Sequence, residues 1–480
     1  MNHTSYTASN LKIHFWALGA LGSYWMSGVM YSLVSLIFIT SYEMNPAWVG
    51  MCMMLPRLID MFVDPVLGRL SDNLKTPWGR RRPFIFATTI IGAICVSGIW
   101  WIPVDWVQDW RGFAYLLAFS TILYANLGAF DMSHNALGYE LSDDYNQRSK
   151  VQAARNLYFM LGSLGGGWFY WLAQRPVFGE GHLGEIHGVR MLAFGVSAIV
   201  LIAGLISVFA SSERFNKINS HHVAIWPALK ATISNKAFFY LLIIKSINAI
   251  GATLAISMSS YILIYSVCNG DKELFNKVVS GWIGIAGFIL AFVLVGVAAP
   301  ITRLLGKRKG LILCYGILAV QAMLTPFVAI PGNVYGYFVF TLLFVPVLMV
   351  LNNLLASIMP DICDVDELEY GERREGLFTA VMSFVTKLEN SICTGIGASL
   401  LAYSGFNGKL TQQPQEVLDT IRIFGFTPLI GGAILTFIAV CFFPLTKKIM
   451  DEVRAKLDAR HAAAHIAGVE ADAQGAKAVG

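Results

Sequence analysis

The chain has 480 residues, of which 56% are hydrophobic and only 14% are charged, and its mean hydropathy is +0.59. Soluble globular proteins carry about 25% charged residues, so this composition excludes an ordinary soluble domain. The net charge of +5 does not indicate a nucleic-acid partner, because the basic residues concentrate in alternate loops between apolar segments.

Apolar blocks recur along the whole chain, and each is long enough to cross a bilayer as a helix of roughly 20 residues. We therefore predict an all-α integral membrane protein with about twelve transmembrane helices in two six-helix halves. A membrane β-barrel is not expected, because its short alternating strands are not seen. The blocks lie near 14–41, 46–70, 83–104, 112–140, 150–174, 190–212, 236–266, 275–300, 308–330, 334–358, 376–403 and 421–446.

Loop composition predicts the division and the orientation of these helices. Basic runs such as Arg80–Arg82 and Lys307–Lys309 follow even-numbered blocks, whereas Ser41–Pro46 contains no basic residue. By the positive-inside rule, both termini then lie in the cytoplasm. The predicted boundaries are 12–212 for the N-terminal half, 213–235 for a cytoplasmic linker, 236–446 for the C-terminal half and 447–480 for a disordered cytoplasmic tail.

Two carboxylates, Asp60 and Asp64, interrupt the second apolar block. Their i, i+4 spacing puts them on one helix face, with Arg57 near the same stripe. Charged groups in hydrocarbon are costly, so they normally face a bundle interior or a water-filled cavity. The pair can hold a proton or a small cation, although a structural salt bridge to Arg57 or Lys387 would also explain it.

A second polar group interrupts the fourth block, where Asp131 and His134 lie in an apolar-flanked run. An intramembrane acid near a basic group is a candidate functional residue. Carboxylate and guanidinium groups bind sugar hydroxyls through charge-assisted hydrogen bonds. The aromatic residues Tyr24 and Trp25 can stack on a sugar ring, and packing in the core or against lipid is the alternative for each.

Three charged motifs lie at predicted helix ends. They are Asp60-x3-Asp64-Pro65-x2-Gly68 followed by Thr76-Pro-Trp-Gly-Arg-Arg-Arg-Pro83, then Ala136-Leu-x-x-Glu-Leu-Ser-x-Asp144-x3-Arg148, and finally Asp361-Ile-Cys-Asp-Val-Asp-Glu-Leu-x-Tyr-Gly-Glu-Arg-Arg-Glu-Gly376. In this order they resemble the motifs of the glycoside–pentoside–hexuronide:cation symporters, a branch of the major facilitator superfamily that includes the melibiose permease. The resemblance covers roughly residues 12–446.

The resemblance implies a secondary active transporter that imports a glycoside, oligosaccharide or uronide by cation-coupled symport, through alternating access of the two halves. It implies no enzymatic activity, no cofactor besides the coupling ion, and a multi-pass protein that works as a monomer in a bacterial inner membrane. It assigns Asp60, Asp64, Lys387 and Arg57 to the cation site, and Asp131 and Arg155 to the sugar site.

Two departures from the melibiose permease bear on the substrate. Tyr24 stands where that permease has a sugar-binding aspartate, and Asn352 stands where it has a tryptophan. The acid pair that binds its sugar is therefore incomplete, and we expect a different substrate and a more polar cavity.

Two further departures bear on the coupling ion. Val63 and Gly128 replace an asparagine and a threonine, which removes neutral oxygens from the cation site. Sodium must exchange its hydration shell for several oxygen ligands, whereas two close carboxylates in a low dielectric readily share a proton. We predict proton coupling over sodium; a sodium ion at Asp60 and Asp64, completed by backbone carbonyls or another side chain, stays open.

Charged residues at the predicted cytoplasmic helix ends form a candidate inner gate. Ion pairs there would hold the outward-facing state closed and break on inward opening, and a role in topology and solubility alone is the alternative. The gate residues are Asp72, Arg80, Arg81, Arg82, Asp364, Arg373 and Arg374.

Three other functions compete with sugar symport. A lysolipid or other amphiphile carrier of the same fold would need a long apolar side pocket. A non-transporting sugar sensor would leave the Asp pair unexplained. A membrane-embedded glycosyltransferase is disfavoured, because the sequence shows neither a nucleotide-phosphate loop nor a metal-ligand cluster.

Overall fold

The computed structural model describes residues 9–28, 33–73, 76–141, 145–211, 235–282, 285–287, 289–290, 306–371, 374–408, 410 and 412–460. Its regular structure is helical throughout these ranges, apart from one isolated bridge between Thr76 and Gly79. The prediction of an all-α fold is confirmed. Seven of the described helices are long and apolar enough to cross a membrane, so the predicted total of twelve stays a prediction.

The N-terminal half begins with a broken first segment. Polar side chains fix several helix starts; the Asp109 carboxylate, for example, accepts a hydrogen bond from the Trp110 amide at 3.1 Å. The helices are α1 Asn10–Ala17, α2 Gly19–Gly28, α3 Val34–Thr40, α4 Pro46–Asn73, α5 Arg82–Gly98, α6 Trp110–Glu140, α7 Tyr145–Ala173 and α8 Gly181–Ala210.

The C-terminal half starts at Asn235, whose side chain accepts a hydrogen bond from the Phe238 amide at 3.0 Å and caps the next helix. Two of its helices continue as π-helices, at Ile262–Val267 and Phe275–Trp282. The helices are α9 Lys236–Tyr261, α10 Lys272–Leu274, α11 Lys307–Val328, α12 Val334–Tyr370, α13 Glu375–Tyr403 and α14 Gln415–Cys441.

Helix α12 extends well beyond the apolar block that predicts it. The block ends at residue 358, whereas the helix ends at Tyr370, where Gly371 adopts the left-handed conformation with φ 82°. The acidic motif that starts at Asp361 therefore lies mostly within a helix. Charged residues continue the helix because Asp361 and Asp366 are buried against cations of the same half.

The predicted disorder of the tail is wrong for residues 447–460, which form a helix. Met450, Val453 and Leu457 are buried in the core of the C-terminal half. These three residues lie on one helix face, and packing of that face stabilises the helix. Residues 213–234 of the predicted linker and residues 461–480 of the tail lie outside the described residues.

The connections between helices gather at two ends of the bundle. We call the end with the first and last described residues, 9 and 460, the inner end. The opposite end, the outer end, carries the connections 41–45, 99–109, 174–180, 268–271, 329–333 and 404–414. The large aromatic core residues Trp16 and Trp100 are fully buried in the N-terminal half.

Candidate functional site

A cavity of about 670 Å³ lies between the two halves, and we call it the central cavity. Its walls come from α2, α4, α6 and α7 of one half and from α12 and α13 of the other. It extends from the middle of these helices towards the inner end, where Met359 and Thr379 line it. The lining residues are Ser27, Arg57, Asp60, Tyr124, Leu127, Gly128, Asp131, Met132, Phe159, Met359, Thr379, Met382, Ser383, Thr386, Lys387 and Asn390.

An ion pair crosses this cavity and joins the halves. Lys387 Nζ of α13 donates to Asp60 Oδ2 of α4 at 2.8 Å, and the Asp60 side chain is only 8% exposed. The ammonium group therefore compensates a carboxylate that would otherwise be costly to bury. Asp64 lies one turn further along α4, but its side chain is outside the description, so its pairing with Asp60 stays a prediction.

Arg57 lies on the same side of α4 as Asp60 and is also buried. Its guanidinium lies 5.1 Å from the centre of the Tyr124 ring of α6, within the range of a cation–π contact. The planar ring and the neighbouring Asp60 stabilise a charge that lies deep in the bundle. Arg57, Asp60 and Lys387 thus form one charged cluster, made of residues that the family resemblance assigns to the cation site; that role stays a prediction.

Asp131 lines the cavity on α6 and is held from two sides. Ser23 Oγ of α2 donates to Asp131 Oδ1 at 2.6 Å. Arg155 Nη2 of α7 lies 3.8 Å from the same oxygen, and both side chains are partly exposed. A partly exposed carboxylate beside a guanidinium offers both hydrogen-bond acceptors and donors to a polyhydroxylated ligand.

Tyr24 and Trp25 pack against α7 rather than line the central cavity. The Tyr24 ring stands edge-on to Phe159 with centroids 5.2 Å apart, and Trp25 packs against Phe169. A Cβ at Gly162 would lie 2.9 Å from Tyr24 Cβ, so the glycine allows this close approach. The structure therefore favours the packing alternative for both aromatic residues.

His134 is fully buried away from the cavity, in a packed seam formed with Trp16 and Ser207. The Trp16 and His134 rings stack with centroids 4.6 Å apart, and His134 Nε2 lies 2.9 Å from the Trp16 carbonyl oxygen. Ser207 Oγ donates to that same carbonyl at 2.9 Å. The structure does not support a contact between His134 and substrate, because the rotation of α6 directs the His134 ring towards α1 and not into the central cavity.

Asn352 is exposed on α12 and does not line the central cavity. The neighbouring Asn353 is exposed too, and its amide donates to the Met349 carbonyl one turn earlier at 3.0 Å. The expectation that Asn352 makes the cavity more polar is not supported. The helix presents Met359, about two turns further on, to the cavity instead.

A polar stripe on α13 supplies the cavity wall around Lys387, and it was not among the residues predicted from the sequence. Thr379, Ser383, Thr386 and Asn390 all line the cavity. Their spacing of three or four residues puts them on one helix face with Lys387. That period is readable in the sequence, but hydroxyl groups are common in membrane helices, so the signal is weak on its own.

The candidate gate residues fall into two groups. Arg80 and Arg81 are partly exposed, and Arg82 Nε donates to the Val208 carbonyl at 3.0 Å. Asp364 is partly exposed on α12. The side chain of Asp72, and all of Arg373, lie outside the description.

Arg374 forms a well-defined ion pair, but it does so within one half. Its Nη2 and Nε donate to the two oxygens of buried Asp366 at 2.6 and 2.8 Å, and its guanidinium lies 4.4 Å from the Tyr370 ring centre. This bidentate contact fixes the turn between α12 and α13. The gate itself stays a prediction.

At the outer end, polar contacts join the two halves directly. Arg175 Nη2 donates to Glu273 Oε1 at 2.9 Å, and Asn276 Nδ2 donates to Gln174 Oε1 at 2.9 Å. Lys272 Nζ also lies 3.9 Å from a Glu185 oxygen. The halves therefore meet at the outer end, while the cavity separates them nearer the inner end.

Comparisons with known proteins agree with this architecture. Residues 15–447 match the family described as MFS/sugar transport protein. The glucuronide carrier protein homolog of Escherichia coli K12 is 25% identical over 88% of this chain and 91% of the relative. The isoprimeverose transporter of Lactiplantibacillus pentosus is 23% identical over 90% and 88%, respectively.

Two more distant likenesses complete the comparison. The sodium-dependent lysophosphatidylcholine symporter 1 of Gallus gallus is 22% identical over 85% of this chain and 81% of the relative. The crystal structure of a D-xylose-proton symporter superposes with a TM-score of 0.59 at 15% identity, over 91% of this chain and 98% of that chain. At this identity the structural match shows a common fold.

Proposed function

Because the chain belongs to the MFS/sugar transport protein family, we propose that it imports a glycoside, oligosaccharide or uronide together with a cation. The protein is a multi-pass membrane transporter and not an enzyme, as its family and relatives show. The observation that carries the proposal is the ion pair of Asp60 and Lys387, which joins the two halves within the central cavity.

The ion pair supplies a mechanism for coupling. A proton or cation that binds at Asp60, with Asp64 one turn away, competes with the Lys387 ammonium for the carboxylate. The released ammonium then lies beside the hydroxyl stripe of α13, where it is available to a solute. Ion and solute thereby change each other's affinity by the same factor, as linkage requires.

Asp131, Arg155 and the α13 stripe form the proposed solute site. The carboxylate and the guanidinium provide charge-assisted hydrogen bonds, and the stripe adds neutral donors and acceptors. Relatives named for a glucuronide and for isoprimeverose support a glycoside-class solute. The mixed lining, with Phe159 and Met382 beside the polar groups, suits the alternating faces of a sugar ring.

We propose a proton rather than sodium as the coupling ion. Gly128 lines the cavity near Asp60 without a side-chain oxygen, and Val63 is equally without one. The nearby ammonium already gives Asp60 a charged partner, so protonation of the carboxylate releases Lys387 without the need for a full shell of oxygens. Sodium would have to recruit Tyr124, Thr386 or backbone carbonyls to replace its water.

Transport requires that the closed outer end open and that the inner end close. The contacts of Arg175 with Glu273 and of Gln174 with Asn276 would break in the outward-facing state. Candidate gate charges at the inner end, among them Asp72 and Arg80–Arg82, would then pair across the halves. We place the protein in a bacterial inner membrane as a functional monomer, with both termini in the cytoplasm.

The experiment is uptake of labelled sugars into membrane vesicles, with a proton or a sodium gradient imposed separately. The panel contains a glucuronide, isoprimeverose and lactose, and the variants are Asp60→Asn and the exposed-residue control Asp105→Asn. We expect accumulation under a proton gradient in the wild type and the control, and none above equilibration in Asp60→Asn. Accumulation that needs sodium would reassign the ion.

A lysolipid carrier is the second candidate, supported by the Gallus gallus relative. The same vesicles are therefore tested with labelled lysophosphatidylcholine. The charged and hydroxyl-bearing lining of the central cavity favours a polar solute. Lysolipid uptake without any sugar uptake would overturn the sugar proposal, and gradient-independent binding without uptake would indicate a sensor.

A further inference from the structure

A basic pocket lies at the inner end of the C-terminal half, apart from the central cavity. Its volume is about 650 Å³, and it is enclosed by the start of α11, by α12 and by the helix 447–460. Its charged lining consists of five cations, Lys307, Arg308, Lys309, Lys447 and Arg454, and two carboxylates, Asp361 and Asp451. The pocket therefore carries an excess of positive charge.

Contacts within the pocket neutralise only part of this charge. Lys307 Nζ and Arg454 Nη2 both donate to Asp361, at 2.6 and 2.9 Å, so one carboxylate serves two cations. Arg308 Nη2 donates to the Cys441 carbonyl at 2.7 Å, while its Nε is buried without a hydrogen-bond partner in the described part of the chain. A buried cationic donor of this kind favours an anionic ligand.

An apolar groove of about 400 Å³ begins at this pocket. Ile312 lines both, and the groove follows one face of α11 past Gly316 to Val320, between Phe344 and Phe437. A Cβ at Gly316 would lie 3.1 Å from Phe437 Cε2, so the glycine helps to keep the groove open. Val320 is 55% exposed, which puts the groove on the lipid-facing surface.

We propose that the pocket and the groove together bind one anionic phospholipid from the leaflet at the inner end. Its phosphate lies among the cations around Arg308, and one acyl chain follows α11 from Ile312 towards Val320. Basic pockets at the membrane surface attract anionic headgroups. The adjoining apolar groove favours a lipid over a free phosphate, because a soluble anion has no apolar group to occupy it.

The test measures lipid retention on the purified full-length protein by native mass spectrometry in an uncharged detergent. The probes are phosphatidylglycerol, phosphatidylcholine and inorganic phosphate. We expect phosphatidylglycerol to be retained at least fivefold better than phosphatidylcholine, and inorganic phosphate not to be retained. Equal retention of the two lipids would overturn the proposal, and retention of phosphate alone would identify a soluble-anion site instead.

Two pairs of variants locate the lipid. Lys309→Gln with Lys447→Gln should weaken phosphatidylglycerol binding about fivefold for each charge, the factor that corresponds to ~1 kcal/mol. Lys448→Gln with Lys456→Gln removes two exposed charges outside the pocket and should leave binding unchanged. Equal effects of the two pairs would show a general attraction to anionic lipid and overturn the assignment of the headgroup to the pocket.

The groove is tested by filling it. Val320→Trp should lower phosphatidylglycerol retention several-fold, whereas Leu343→Trp, at an exposed position outside the groove, should not. Unchanged retention in Val320→Trp would overturn the assignment of the acyl chain. None of these residues lines the central cavity, so sugar uptake reports separately on the proposed transport function.

Discussion

The cluster of Asp60 with Lys387 and the packed seam around His134 begin from the same sequence signal and end in opposite environments. Each is a polar residue within an apolar run. Asp60 faces a cavity and pairs across the two halves at 2.8 Å, whereas His134 is fully buried and bonds to Trp16 within one half. An intramembrane polar group therefore indicates function only when it faces a cavity that a ligand can enter.

The largest expected effect follows removal of the cationic side of the cavity cluster. Lys387→Met removes the ammonium group that pairs with the buried Asp60 carboxylate, a loss that costs about 3 kcal/mol or more for a buried pair. We expect gradient-driven uptake in vesicles to fall about 100-fold or more. Lys236→Met, at the exposed start of α9, is the matched control.

A double variant separates charge balance from coupling. Asp60→Asn with Lys387→Met removes both charges of the ion pair and should recover part of the thermal stability that Lys387→Met loses, because the buried carboxylate is removed together with its partner, while Arg57 keeps its contact with the Tyr124 ring. Uptake should stay absent, since the coupling carboxylate is gone. Recovery of uptake in the double variant would show that the ion pair is structural. Asp60 would then not differ from His134 in having a role in transport.

The next largest expected effect is a loss of protein stability without a change in the sugar KM. His134→Ala deletes a stacked ring and its hydrogen bond in the packed seam, and we expect the free energy of unfolding to fall by roughly 3 kcal/mol. The apparent KM of the folded fraction for sugar should not change. His187→Ala, at an exposed position on α8, serves as the control. A raised KM in His134→Ala would indicate that His134 contacts the substrate.

Ser23 is buried on α2 and donates to Asp131 at 2.6 Å. Ser23→Ala removes a charge-assisted hydrogen bond that orients the carboxylate, so we expect the sugar KM to rise about fivefold with little change in stability. Kinetics of uptake measure this. Ser163→Ala, whose hydroxyl donates to the Met160 carbonyl of its own helix, should leave the KM unchanged.

The smallest effect is expected at Asn352. Because this residue is exposed on α12 and outside the cavity lining, Asn352→Ala should change uptake by less than about twofold and leave the order of preferred sugars unchanged. The same labelled panel measures it. A changed sugar preference would mean that α12 turns this residue inward at another stage of transport.

Much of the cavity cluster could be predicted from the sequence, because the signal is local. The i, i+3 and i, i+4 positions of Arg57, Asp60 and Asp64 share a helix face whatever the neighbours are. Lys387, 327 residues from Asp60 along the chain, could be assigned only through the family motif. Its polar neighbours on α13 recur every three or four residues. This spacing is a weak signal on its own, because hydroxyl-bearing residues are common in membrane helices.

The membrane class and most helix positions follow from the sequence, because an apolar block is a local property of the chain. Which polar residue faces the cavity depends on tertiary packing. The rotation of α6 puts Asp131 towards it and His134 towards Trp16, although the two lie within one turn of each other. Helix rotation depends on packing against partners that are distant in the chain, such as Trp16 and Ser23, and no local pattern encodes it.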